Sequence, residues 1–385
     1  MDQRVQLIEE HRSGESIAAL AERYQVSHKT IYKWMARWES EGVAGLQDRS
    51  RAPHHSPGRV SREQIEAILA ARQRWGWGPR KLRRKLEETQ PAVAWPAAST
   101  ISTVLKQAGL SVARRRRWRT PPQTQPWAPI DAPNQTWCAD FKGWFRTGDG
   151  TRCDPLTITD AHSRYLLCCH LVPHTDGVHA AAVFDATFRQ YGLPRTIRTD
   201  NGSPFASRAP GGLSRLAMRW IRLGIVPERT RPASPQDNGR HERMHRTLQA
   251  ATLRPPARDP RRQQAAFDRF REQFNQERPH EALAMATPAS CYCPSPRPMP
   301  RRLPELVYAP EFHLRRVSQK GDFRWNCARI FVSEIFRGEV LGLRAFNERY
   351  YQLFYGPVAL GWVDTYGSRL HRRLSRRLRR ELGMS

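Results

Sequence analysis

The strongest constraint lies between residues 134 and 290, where strand-like runs give way to strand–helix alternation and acidic residues fall at element ends. Thr136 to Phe145, Leu156 to Thr159 and Tyr165 to Val172 carry strand patterning. Val178 to Tyr191 places Ala181, Phe184 and Phe188 on one helical face. Arg195 to Asp200 reads as a short strand, Leu213 to Leu223 as a helix and Ile225 to Arg229 as a strand. Helices follow from Asp237 to about Leu253 and from about Arg261 to Asn275. This order predicts a mixed sheet with flanking helices. Asp140 then sits within the first strand, Asp200 ends a later strand at the Asn201-Gly202 turn, and Glu242 lies on the helix opened by Asp237-Asn238-Gly239. Strand and helix side chains can meet at one edge of such a sheet. Converging carboxylates destabilise one another's charge unless something positive sits between them. Carboxylates are the hard oxygen donors that Mg²⁺ prefers, and a pair of divalent ions beside a phosphodiester fits the set.

The charge balance points the same way. The 385 residues include 64 basic and 36 acidic ones, a net charge of +28, which is too large for a typical soluble metabolic enzyme. It implies a polyanionic partner, most simply nucleic acid, held by salt-sensitive contacts. No apolar run is long enough to span a bilayer and the start lacks a signal-peptide pattern, so no membrane partner is expected. The cysteines, Cys138, Cys153, Cys168, Cys169, Cys291, Cys293 and Cys327, are odd in number and lack CxxC spacing. They read as incidental thiols of a reducing cytoplasm rather than a disulfide framework or zinc site.

The length suits two to four domains. Residues 1–47 predict a helix-turn-helix: Ile17, Leu20 and Ala21 form one stripe, Gln25-Val26 a turn, and Ser27 caps a helix carrying Ile31, Trp34 and Trp38 inward. That helix presents His28, Lys29, Tyr32 and Lys33 outward, as a recognition helix does in the major groove. Pattern alone also allows a small helical bundle with a solvated basic face. Residues 48–60 read as a linker, and 61–112 as a second, weaker helix-turn-helix, opened by a Ser61–Gln64 capping box. In the basic, Pro-rich segment 113–133, Arg114, Arg115, Arg116 and Arg117 are candidate phosphate contacts. A Pro-rich stretch, Pro294 to Pro304, precedes short alternating runs over 305–366 that predict a small DNA-binding β-barrel, and residues 367–385 form a basic tail.

Five motifs occur in order: Trp137-x-x-Asp140-Phe141-Lys142-Gly143, Asp160-x-x-Ser163-Arg164-Tyr165, Thr199-Asp200-Asn201-Gly202, Gln236-Asp237-Asn238-Gly239-x-x-Glu242-x-x-His245, and Asn275-x-x-Arg278-Pro279-His280. At these residues the chain resembles the integrase-core (DDE) transposases of bacterial insertion sequences, in the group with an N-terminal helix-turn-helix. The resemblance implies a multidomain fold: all-α helix-turn-helix modules, a central α/β ribonuclease-H-like core and a C-terminal small β-barrel. It implies that Asp140, Asp200 and Glu242 are both the catalytic acids and the ligands of two Mg²⁺ ions, with Mn²⁺ able to substitute. It further implies cleavage and strand transfer at terminal inverted repeats of double-stranded DNA, by a homo-oligomer near the nucleoid. Arg240, His245 and Arg246, close to Glu242, are then expected to contact the DNA backbone.

Two features depart from the family pattern. The separation between Asp200 and Glu242, 242 − 200 = 42 positions, exceeds the family's commonest spacing, and the extra residues are expected in the loop around Ser207 to Gly212. The zinc module of retroviral integrases is absent. Other polar residues have plainer readings: Asp160 closes a strand and turn, Asp237 caps a helix, Asp154 lies in a loop, and Arg278-Pro279-His280 is a packing motif. Two other classes remain in view, a DNA-binding regulator with a silent catalytic domain and a nuclease that only cuts.

Overall fold

The computed structural model describes residues 2–49, 59–111, 130–230 and 239–372, together with 375 and 379. The Arg114–Arg117 run, Asp237 and most of the expected 48–60 linker lie outside the described residues. The chain divides into two compact units, Met1–Ile65 and Glu66–Ser385.

In the first unit α1 (Asp2–Arg12), α2 (Ile17–Arg23) and α3 (His28–Glu41) enclose Leu7, Ile8, Leu20, Ile31 and Leu46. Ser16 caps α2 by accepting from the Ala19 amide at 3.2 Å, and Ser27 caps α3 by accepting from the Thr30 amide at 3.3 Å. Gln25, in the turn between them, takes a left-handed φ of 52°. Ser61 and Gln64 form the reciprocal capping box, each backbone amide 3.2 Å from the other's side-chain oxygen.

The second unit takes in most of α4 (Arg62–Trp75), then α5 (Pro79–Thr89) and α6 (Ala98–Gln107). Pro79 opens α5, where its missing N–H loses nothing and its fixed φ suits the first helical turn. Ile68, Leu82, Leu86, Ile101 and Leu105 are buried. Trp75 stacks on Trp77, and its Nε1 donates to Glu277 Oε2 at 3.1 Å, which ties this helical module to the chain beyond the central domain's last helix.

The central domain follows as β1 (Thr136–Phe141), β2 (Phe145–Arg146), β3 (Arg152–Asp160), β4 (Leu166–Val172), α7 (Gly177–Tyr191), β5 (Thr196–Thr199), α8 (Arg215–Arg222), β6 (Val226–Arg229), α9 (Gly239–Thr252) and α10 (Pro260–Gln276). The strands run in the order β4-β3-β1-β5-β6, with β2 also on β3. β3 is antiparallel to β1 and β4, whereas β1, β5 and β6 are parallel. Trp137, Ala139 and Ile197 pack one face against Phe184, Phe188 and Trp220 of α7 and α8. Leu166 and Cys169 pack the other face against Met244, Leu248, Phe267, Phe270 and Phe274 of α9 and α10. A mixed sheet buried on both faces results, as the strand–helix alternation predicts.

Two local expectations change. The run expected as one strand to Phe145 breaks after Phe141, because Gly143 adopts a φ of 90° that other residues rarely take. Asp154 is not in a loop: it lies buried in β3, and Arg152 Nε donates to its Oδ2 at 3.0 Å. Residues 203–214, where the extra length was expected, form a loop with a short 3₁₀ turn at Pro210–Gly212.

The C-terminal region is sheet-rich. β7 (Phe312–Arg316), β10 (Val340–Ala345), β11 (Tyr350–Tyr355), β12 (Val358–Asp364) and β13 (Arg369–His371) form an antiparallel sheet ordered β13-β12-β11-β10-β7, and β8 (Asp322–Trp325) and β9 (Ala328–Phe331) form a separate hairpin. Its buried Leu341, Leu353, Tyr355 and Leu360 belong to the same core as Trp220 and Ile221 of α8. Among the described residues no helix is long and apolar enough to cross a membrane.

Candidate active site

The sheet register places two of the three acids. Cys138 of β1 pairs with Arg198 of β5 in parallel register. Asp140 and Asp200 each stand two residues further on, so they leave adjacent strands on the same face, where neighbouring strands are about 4.8 Å apart. Trp137 and Ala139 occupy the α7 face; alternation therefore turns Cys138 and Asp140 toward α9. Glu242 lies in the first turn of α9, exposed, while Met244 and Leu248 of the same helix are buried against the sheet.

The charges of the other two acids act on Asp140. The Asp140 carboxyl is pushed up from 3.8 to about 7, first by burial, then by the negative charge of Asp200, and less by Glu242. The Phe141 amide and Lys142 oppose the rise. Asp200 itself stays at the surface in a fixed loop. Its Oδ1 accepts from the Gly202 amide at 3.2 Å, and Asn201 Nδ2 donates to the Thr230 carbonyl at 2.6 Å.

Beneath Asp140 lies a buried network that the sequence did not announce. Thr157 Oγ1 is 2.7 Å from Nε2 of both His241 and His245, and donates to the Asp140 carbonyl at 3.1 Å. His241 Nδ1 is 3.1 Å from Thr159 Oγ1. One assignment satisfies both threonine hydroxyls and His241: both imidazoles donate from Nε2 to Thr157, and Thr159 donates to His241 Nδ1. Burial holds both rings neutral, lowering His241 to about 3 and His245 to about 2. His245 Nδ1 is left facing Asp140 Oδ2 across 3.9 Å, too far for a hydrogen bond.

Asp140, His241 and His245 could together hold a metal ion, having ligand atoms within 4.8 Å of one another. His241, however, uses both ring nitrogens on threonines. The donors left for a cation are the carboxylates and His245 Nδ1, a set suited to a hard divalent ion. Such an ion would also relieve the repulsion that raises Asp140.

The other candidate residues are scattered. His28, Lys29, Tyr32 and Lys33 are all exposed on α3. Arg246 is exposed on α9, and the side chain of Arg240 lies outside the described residues. His245 is turned inward, 7% exposed, because the i, i+4 spacing sets it beside His241 on the face that packs on Thr157; it is not the surface phosphate contact expected. That same spacing is the signal by which His241 could have been found. Asp160 is fully buried and structural. Its Oδ1 accepts from the Asn134 amide, and its Oδ2 accepts from the Ser163 amide and hydroxyl.

With this geometry in hand, the domain class is clear. Residues 131–235 match the integrase core domain and 223–288 match a second integrase core domain family, while 3–54 match a helix-turn-helix domain and 30–105 a homeodomain-like domain. The segment that carries the three acids is therefore similar to integrase core domains, and the helical region before it to helix-turn-helix and homeodomain-like domains. Proteins similar to the chain include two from insertion elements and the Gag-Pol polyprotein of baboon endogenous virus. It is 26% identical over 192 residues to the insertion element IS407 uncharacterized 31.7 kDa protein of Burkholderia multivorans, covering 49% of this chain and 66% of that one. It is 26% identical over 222 residues to the insertion element IS476 uncharacterized 39.2 kDa protein of Xanthomonas euvesicatoria, covering 55% and 59%. The match thus spans less than two thirds of each relative. The HTLV-2 integrase catalytic core domain in complex with magnesium aligns over 42% of this chain and 97% of its own, at 15% identity and a TM-score of 0.33.

Proposed function

We propose that this protein is a DNA transposase that binds the terminal inverted repeats of an insertion sequence and catalyses metal-dependent strand cleavage and strand transfer. What supports this reading is the parallel register that carries Asp140 and Asp200 off adjacent strands, with Glu242 in the first turn of the helix that packs on that side of the sheet. These three acids are the catalytic residues, and would hold two Mg²⁺ ions, or Mn²⁺ in their place. Such ions, when bound, help deprotonate the attacking oxygen and stabilise the leaving one.

The chain's own residues set the geometry. In this reading β1 and β5 carry Asp140 and Asp200 on adjacent strands, and the Thr157–His241–His245 network docks α9, the helix that bears Glu242, onto the sheet. Neutral His245 adds no positive charge that would compete with a cation at Asp140. Water serves as the nucleophile for cleavage, and the freed 3′-OH for joining, so no covalent protein–DNA intermediate is required. On α3, His28, Lys29, Tyr32 and Lys33 read the major groove, and Arg246 meets backbone phosphates.

The domains we assign are 1–47 and 61–112 for end recognition, 134–290 for chemistry and 305–366 for further DNA contact. The last is read as a small barrel in which the β8–β9 hairpin covers the sheet, a reading supported by Trp325 packing on His313 and Tyr351. Strand transfer joins two ends at one target, so the active species is a homo-oligomer on DNA in the cytoplasm. The test is Glu242→Gln: end binding stays at the wild-type level and cleavage is lost. Undiminished cleavage by this variant overturns the assignment.

A further inference from the structure

Beside the three acids, on the same face of the sheet, lies a cavity of about 100 Å³. Cys138, two residues before Asp140, forms part of its floor together with Thr159 and His241. Arg243, next to Glu242, stands at its wall. The far wall comes from distant parts of the chain, Lys81 of α5 and the Arg278 and His280 pair that follows α10.

The lining is strongly cationic and its charges are unequally satisfied. Arg198 is paired with Glu228 at 3.0 Å, and Arg164 donates to the Ala161 carbonyl at 2.7 Å. Lys81, Arg243 and Arg278 have no carboxylate within ion-pair distance among the described residues; Arg278 only leans over the Trp77 ring, 5.9 Å from its centroid. His280 Nε2 is buried without a hydrogen-bond partner among the described residues. Asp160 is the acid of the lining, and both its oxygens are engaged by Asn134 and Ser163. The cations press on one another: Lys81 is lowered to about 8 by burial and then by Arg278, with Glu281 opposing part of the fall, and His280 to about 3 by burial and then by Lys81 and Arg278. Cations that outnumber the acids near them, Asp160 in the lining and Glu281 beside Lys81, around a cavity with an orphaned ring nitrogen, form a receptor for a tetrahedral oxyanion.

We propose that Lys81, Arg243, Arg278 and His280 hold one phosphate of a DNA strand next to the scissile position, an assignment that rests on the strand-transfer reading above. The site joins the second helical module to the catalytic face, so occupancy couples the placing of the strand to its chemistry. The fit is to phosphate, and a DNA backbone or free inorganic phosphate could supply it; the adjacent acids favour the backbone.

The experiment measures binding of the full-length protein to a labelled mixed-sequence duplex in EDTA, over a range of NaCl, for wild type, Lys81→Gln, Arg278→Gln and the double variant. A shared phosphate predicts that each single variant lowers the slope of log Kd against log[NaCl] by about 1, and that the double variant also lowers it by about 1. Lys81→Arg and Arg278→Lys retain the wild-type slope, and thermal melting confirms that every variant folds. Unchanged slopes in folded variants overturn the pocket while leaving the transposase reading standing, and a loss of about 2 in the double variant overturns the shared site. Titration with inorganic phosphate separates the sources: phosphate binding with unchanged DNA slopes overturns the backbone assignment. Wild type that fails to bind DNA at all overturns the underlying functional reading instead.

Discussion

Replacing Asp140 with Asn should make the metal-free protein more stable at alkaline pH while abolishing its chemistry. The reason is the position of its carboxyl, raised from 3.8 to about 7 by burial and by the charges of Asp200 and Glu242. A raised acid binds its proton more tightly in the folded state than in the unfolded chain. Its destabilising effect is therefore absent below about pH 4, grows as pH rises between the two values, and is complete above about pH 7. A shift of that size corresponds to at most ~4 kcal/mol at 1.36 kcal/mol per pH step. The side chain is 22% exposed, and solvent screening reduces the effect to about 1–3 kcal/mol. For a domain of this size, that is a gain of roughly 3–8 °C in Tm. Melting in EDTA at about pH 8 and about pH 5 would measure it: Asp140→Asn raises Tm at the higher pH, and the gap narrows at the lower one. Adding Mg²⁺ should then raise the wild-type Tm and leave the variant nearly unmoved. A variant no more stable than wild type at pH 8, or a gap that does not change with pH, refutes the electrostatic account of the site.

Two further outcomes follow from the buried polar groups. Thr157→Val removes the oxygen shared by His241 and His245 and leaves two buried imidazole N–H groups unpaired, so unfolding free energy falls by about 2–4 kcal/mol and cleavage falls with the displacement of α9; denaturant unfolding and a cleavage assay check both. Asp160→Asn disrupts the bonds from Asn134 and Ser163 and destabilises by about 2–4 kcal/mol, and at temperatures where the variant is folded, metal binding followed by calorimetry is unchanged.

The elements that carry the candidate acids were legible in the sequence because they are written locally. A strand run ending at Asp200 before Asn201-Gly202, and an acid one turn into a helix, each fix a side chain from its immediate neighbours. The same holds for the caps of Ser27 and Ser61, and for Asp160, whose Ser163 partner lies three residues away. What escaped depends on chain distance. Thr157 meets His245 across 88 positions, so an outward-looking helical residue turned out to be a packing one. Asp154 was misplaced because the charged, Pro-containing start of β3 looks like a turn until β4 covers it. The cavity between Lys81 and Arg278 is assembled from segments whose local patterns say only "helix" and "packing motif".

The most direct test of the central claim is a Mg²⁺-dependent cleavage and joining assay on DNA carrying the element's ends, comparing wild type with Asp200→Ala. Cleaved and joined products from wild type alone are the predicted result. Products from both proteins would contradict the proposed site, and binding without cleavage by either would contradict the transposase itself.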